Sequence, residues 1–191
     1  TRVARRKMEP PSSQGHIHQT DMACGNDQPR TDSRMGDAMF DDGFAATPEI
    51  LVRDRRWRCH VREPEKLVWR ALAACADSGG LPGTVVLATD REVRELNGRH
   101  RGRYKPTNVL TFDPPPGYDG GDIILALETV LREARKAGRP VADHLAHLVV
   151  HGSLHLAGYD HHHPGDAREM EMREARILSR LSVPNPWKPR S

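Results

Sequence analysis

Residues 151–163 read HGSLHLAGYDHHH, which places five of the chain's eleven histidines in thirteen positions. His151, His155 and His161 fall at the spacing H-x-x-x-H-x-x-G-x-x-H, the ligand spacing of a large group of zinc proteases. In those enzymes a glutamate follows the first histidine and acts as general base. Here that position is Gly152. The ligand pattern is kept and the proteolytic base is gone.

Around this stretch, Leu145, Leu148 and Val149 mark the buried face of a helix opened by Pro140. His144, His147, His151 and His155 recur three and four apart and share another stripe of that helix. His151 and His155 stand one turn apart and can chelate one ion. Gly158 can adopt positive φ, end the helix and turn the chain back, so that His161 reaches the same ion. Three neutral imidazoles leave a coordination position open, as in catalytic rather than closed structural zinc. One zinc per chain is therefore expected. Spacing favours His161 over His162 and His163 as the third ligand. His144, His147 and Asp160 are candidates for supporting the ligands from behind, with Asp160 placed to orient an imidazole.

Outward from the helix, the punctuation is regular from residue 49. EILVRDRRW (49–57) predicts a strand, and Pro64 opens an amphipathic helix through Leu67, Val68, Ala71, Leu72 and Cys75. TVVLAT (84–89) reads as a buried strand, after which Asp90 caps a short helix ending at Asn97–Gly98. Strands follow at NVLTF (108–112) and DIILAL (122–127). A helix then runs from Glu128 to Ala137, and a last one from about Pro164 to Leu181. Helices alone follow the last strand, and no βαβ alternation is sustained. The pattern predicts an α+β fold, a small mixed β-sheet covered by helices, with a zincin-like three-histidine site on a helix and the following turn.

Residues 1–48 lack any sustained period and are expected to form a disordered extension ahead of a single catalytic domain at 49–191. Their seven acidic residues argue against a transit peptide. The chain opens on Thr1 with Met35 and Met39 inside the extension, which fits an upstream addition to a natural start at one of them. No apolar run approaches the ~20 residues of a membrane span. Three scattered cysteines form no disulfide framework or metal knuckle, which favours a reducing cytoplasm.

A net charge of +3 is mild, so nucleic-acid binding must rest on local clusters. RHRGRYKPTNVLTF (99–112) supplies one. Arg99, Arg101, Arg103 and Lys105 occupy alternate positions before a strand, and in an extended segment they would face one way as a row for phosphates. Tyr104 and Asn108 offer stacking and hydrogen bonds beside it.

HGSLHLAGYDH, LNGRHRGRYKPTNVLTF and GGDIILAL together resemble the three signature segments of the YbeY-type endoribonucleases, in the same order. The resemblance runs over roughly residues 49–187, through LSVPNPW. It implies a metal-dependent ribonuclease, usually zinc-bound, directed at single-stranded RNA. The family role is ribosomal RNA processing, chiefly maturation of the small-subunit RNA 3′ end, and ribosome quality control. By matching position, His151, His155 and His161 become the metal ligands and Arg101 the functional arginine. Arg99, Arg103 and Lys105 are then candidate RNA contacts. Thr111 stands where many members have serine, and Asp113 where many have proline.

Phosphodiester chemistry also accounts for the missing glutamate. A three-histidine zinc acidifies its water to about 7 without one, and a guanidinium can hold the phosphate bidentately. The activated oxygen is either that water or the RNA 2′-hydroxyl. Two other readings compete: an RNA-binding ribosome-assembly factor whose metal only staples the fold, and a metallopeptidase that borrows its base from Asp160 or Asp122.

Overall fold

The computed structural model describes residues 47–117, 120–159 and 164–187. The expected disorder of the extension, and the roles expected of Asp160 and His161, lie outside those residues. Four short strands form one mixed sheet in the order β1-β2-β4-β3. β1 (Glu49–Val52) runs parallel to β2 (Thr84–Ala88), β2 parallel to β4 (Asp122–Ala126), and β3 (Val109–Phe112) antiparallel to β4. Successive side chains point to opposite faces. Val85, Leu87, Ile123 and Leu125 therefore enter the main core, while Val86, Leu110 and Ile124 pack with Val93 and Leu96 of α3 (Asp90–Arg101) on the other side. The fold is α+β, a small mixed sheet covered by helices.

The histidine helix α5 (Val141–Leu156) lies at the centre. It packs on β3 and β4, on α2 (Pro64–Cys75), on α4 (Leu127–Lys136) and on α6 (Pro164–Arg180). Leu145, Val149 and Leu154 are fully buried. Gly158 takes φ +87°, and the chain closes on itself there: Gly158 N–H donates to His155 O, and Tyr159 N–H to Leu154 O, both at 3.0 Å. That pairing of bonds is the Schellman ending, and it needs a residue that tolerates positive φ. No helix among the described residues is long and apolar enough to cross a membrane.

Three local expectations are corrected. The first strand stops at Val52, because Asp54 accepts from the Arg56 backbone at 2.9 Å and turns the chain. Trp57 then begins the short helix α1 (Trp57–His60), fully buried, with its indole donating to Ala88 O. The cap of α3 is Thr89 rather than Asp90. Thr89 and Glu92 form a reciprocal capping box, and the Asp90 carboxylate instead accepts from the Thr129 backbone and hydroxyl, each at 2.8 Å, tying α3 to α4. Nor does α3 end at Asn97–Gly98. It continues to Arg101, and Gly102 at φ +65° closes it. Gly98 is there for closeness: a Cβ at position 98 would lie 2.3 Å from the Tyr104 ring.

Candidate active site

α5 carries His144, His147, His151 and His155 along one side, and two of them converge. His151 Nε2 lies 3.1 Å from His155 Nε2. The opposite nitrogen of His151, Nδ1, lies 2.5 Å from Glu174 Oε1 on α6. Glu174 is wholly buried. Burial opposes its charge, but the His147 and His151 rings outweigh that and bring the carboxyl down to about 2. An ionised carboxylate only accepts, so the His151 proton sits on Nδ1 and the Nε2 lone pair faces His155. Two ligands at about 2.05 Å on a tetrahedral ion are roughly 3.3 Å apart. The two Nε2 atoms fit that edge.

Glu174 has a second partner. Its Oε2 accepts from the Trp187 indole at 3.0 Å, and the Trp187 ring meets His147 edge-on at 6.1 Å. His147 Nε2 stands 3.5 Å from the same oxygen, too misaligned for a hydrogen bond. His147, His151 and Glu174 do bring three donor atoms within 4.8 Å and could hold an ion. Both carboxylate oxygens are already engaged, however, which suits Glu174 to orienting an imidazole rather than ligating. Neither Glu174 nor Trp187 was apparent from motif spacing. The signal existed: Met170, Glu174, Ile177 and Leu178 recur at i, i+4, i+7 and i+8, so a carboxylate sits on the apolar stripe of α6.

His144 serves a different contact. Its Nε2 lies 3.0 Å from Glu133 Oε2, which also accepts from the Asn108 amide at 3.0 Å. That bridge pins the start of β3 to α4 and α5. The expectation that His161 completes a zinc site with His151 and His155 is open to direct test. Elemental analysis is expected to find zinc lost in His161→Ala and kept in His162→Ala and His163→Ala, and the opposite pattern would reassign the third ligand.

The position of the missing glutamate has a structural reason. A Cβ on Gly152 would lie 3.1 Å from two carbons of the Ile123 side chain and 3.3 Å from Thr111 Cγ2. Residue 152 therefore faces the sheet, where even a methyl would be tight and a longer side chain would have to displace Ile123 or Thr111. Asp122 cannot replace the base. It alternates to the other face of β4 and lines a cleft with Arg53, Thr84, Glu92 and Arg99, away from the histidines.

The four cations do not form the extended row expected of them. Arg99 and Arg101 belong to the last turn of α3, and only Arg103 and Lys105 follow it. The loop folds back because Arg103 N–H donates to Asn97 O and the Asn97 amide donates to Lys105 O at 2.7 Å. Residues two positions apart on a helix are rotated by about 200°, so Arg99 and Arg101 diverge. Arg99 enters the cleft on the far face. Arg101 reaches Thr111 O of β3 at 3.4 Å, and the Thr111 side chain is what Gly152 packs against. One strand thus separates an exposed guanidinium from the histidine helix.

Residues 53–182 match the Endoribonuclease YbeY family. The chain belongs to the YbeY endoribonuclease family. Relatives of that name from Gluconobacter oxydans and Rhodopseudomonas palustris are 53% and 43% identical over 149 and 152 residues. Those alignments cover 75% and 73% of this chain and 89% and 80% of the relatives. The solution structure of a Thermotoga maritima protein superposes with a TM-score of 0.53 at 28% identity, covering 71% of this chain and 89% of that one. The YbeY match spans the described strands β2 to β4 and the whole histidine helix.

Proposed function

We propose that this chain is a zinc-dependent endoribonuclease that cuts single-stranded RNA. Its place is the cytoplasm, in ribosomal RNA processing at the small-subunit 3′ end and in ribosome quality control. Family membership supports RNA as the substrate. The observation that carries the metal chemistry is the close His151–His155 Nε2 pair, with the His151 ring oriented by a buried carboxylate. In this reading His151, His155 and His161 hold the ion. Zinc bound there supplies Lewis-acid charge and an acidified water near neutral pH. Glu174 keeps the His151 proton on Nδ1, and His147 packs behind it against Trp187. Arg101, fully charged and exposed, grips the phosphate and stabilises the charge that grows on it in the transition state. Arg103 and Lys105 add backbone contacts, and Arg99, on the diverging face, adds only long-range attraction. A peptidase reading is disfavoured by the packing at Gly152 and the distant face of Asp122.

The test is cleavage of single-stranded RNA, duplex RNA and a peptide pool, with and without chelator. Only single-stranded RNA is expected to be cut, and only with metal. Arg101→Lys and Arg101→Ala are expected to keep zinc and the fold but cut at least tenfold more slowly, about 1.4 kcal/mol of transition-state stabilisation. Arg99→Ala and Arg103→Ala should weaken binding modestly, in a way that fades as salt rises. A wild-type rate in Arg101→Lys would reduce Arg101 to a surface charge.

A further inference from the structure

Tyr104 is 72% exposed, the most exposed of the large apolar side chains among the described residues, yet its segment is not loosely held. Its ring lies against Gly98, where a Cβ would come within 2.3 Å of Cε1, 2.4 Å of Cδ1 and 2.9 Å of Cζ. Such closeness to three ring atoms places the ring over the glycine backbone. The segment carrying it is fastened three times to the end of α3: Gly102 N–H to Gly98 O at 3.1 Å, Arg103 N–H to Asn97 O at 3.3 Å, and the buried Asn97 amide to Lys105 O at 2.7 Å. The backbone that carries this exposed ring is thereby fixed against α3, with the ring resting on Gly98, before any ligand arrives.

The ring's surroundings are mainly cationic. On a helix, residues three and four apart are surface neighbours, so Arg94, Glu95 and Arg101 neighbour Gly98 along α3, and Glu95 is occupied by Arg91 at 3.4 Å. Arg103 and Lys105 adjoin the ring in the chain, and Arg94, Arg101, Arg103 and Lys105 are all exposed. Among the described residues no carboxylate pairs with any of these four cations. An aromatic platform between cations suits a stacked base with a phosphate on each side. A duplex hides its base faces and would gain nothing from it.

We propose that Tyr104 is a base-stacking subsite for single-stranded RNA, seating the nucleotide adjacent to the phosphate held by Arg101. This rests on the endoribonuclease reading and deepens it, because it supplies a physical source for single-strand preference. Arg101 links the subsite to the chemistry, since its guanidinium reaches the strand that packs on the histidine helix. The subsite is sequence-tolerant, because every base presents a π-face.

The experiment pairs protein variants with single abasic substitutions in a short labelled RNA. The zinc-loaded full chain is used. Binding is followed by rapid-mixing fluorescence anisotropy before cleavage, and KM by gel. Tyr104→Ala and Tyr104→Leu are expected to weaken binding and raise KM about fivefold or more, with kcat little changed. Tyr104→Phe should match wild type. Removing one particular base should weaken wild-type binding equally and leave Tyr104→Ala with no further loss. Equal binding by Tyr104→Leu and wild type would overturn the subsite, as would losses that multiply at every abasic position. Tyr104→Leu keeps apolar packing on Gly98, so a folding defect confined to Tyr104→Ala leaves the test intact. If the wild-type chain binds RNA without cutting it, the catalytic reading fails while the anisotropy still decides the stacking claim.

Discussion

Glu174→Gln is expected to lower zinc affinity about 10- to 100-fold, the usual cost of losing a carboxylate behind a metal-bound imidazole. The amide keeps the size of the side chain but has one accepting oxygen where the carboxylate has two, so His151 and Trp187 cannot both be served and the charge that fixes the His151 proton on Nδ1 is gone. Glu174→Ala goes further. It leaves the His151 and Trp187 N–H groups without their shared acceptor, and because Trp187 is half exposed and can turn to water the loss is on the order of 1–3 kcal/mol. The metal-free protein gives an independent reading. The carboxyl falls from an ordinary 4.5 to about 2 on folding, which corresponds to roughly 3 kcal/mol by linkage. A depressed folded pKa stabilises above the unfolded value, so this contribution is complete above about pH 4.5 and is lost as pH falls towards 2. Thermal midpoints of apo wild type and Glu174→Gln should therefore converge as pH falls through that window. Zinc affinity is read by chelator competition. An unchanged affinity in Glu174→Gln would detach Glu174 from the metal site.

What could be read from the chain without coordinates follows from the range of each interaction. The His151–His155 pair and the Gly158 turn depend on helix pitch and one positive φ, both local properties, so spacing reveals them. The helices opened by Pro64 and Pro140 and the strand at 84–88 declare themselves by period and punctuation for the same reason. Errors gathered where two nearby residues could do the same job and a distant contact decided between them. Asp90 is a good cap by composition, yet Thr129, thirty-nine residues away, claims its carboxylate and leaves the cap to Thr89. Gly98 is a plausible helix end, yet the Tyr104 ring uses it as a seat and the helix runs on. That shift turns Arg99 and Arg101 to different faces and dissolves the expected row of cations. Glu174 and Trp187 belong to the site only through tertiary packing, and nothing near the histidines in sequence points to them.

Gly152→Glu, which restores the protease glutamate, is expected to cost the fold several kcal/mol and to create no peptidase. The magnitude follows from where the residue points. Alanine at 152 already places a methyl 3.1 Å from Ile123 carbons and 3.3 Å from Thr111. Helix propensity favours alanine by up to about 1 kcal/mol, while overpacking costs about 1–3 kcal/mol, so Gly152→Ala should be mildly destabilising. A glutamate adds the burial of a carboxylate against Ile123 with no cation within the interface, a further cost of several kcal/mol. The helix can relieve this only by lifting from β3 and β4, which also carries His151 away from its partner on α6 and Arg101 away from the histidines. Loss of zinc affinity should therefore accompany loss of stability in this one variant. Ile123→Ala opens space at the same contact, so the double variant with Gly152→Ala should recover part of what the alanine alone loses, a coupling that independent sites would not show. Thermal unfolding and zinc content test the series. A Gly152→Glu protein with the wild-type midpoint would show that residue 152 faces solvent or the ion, and peptide hydrolysis in that variant would show that a missing carboxylate was all that separated this site from a protease.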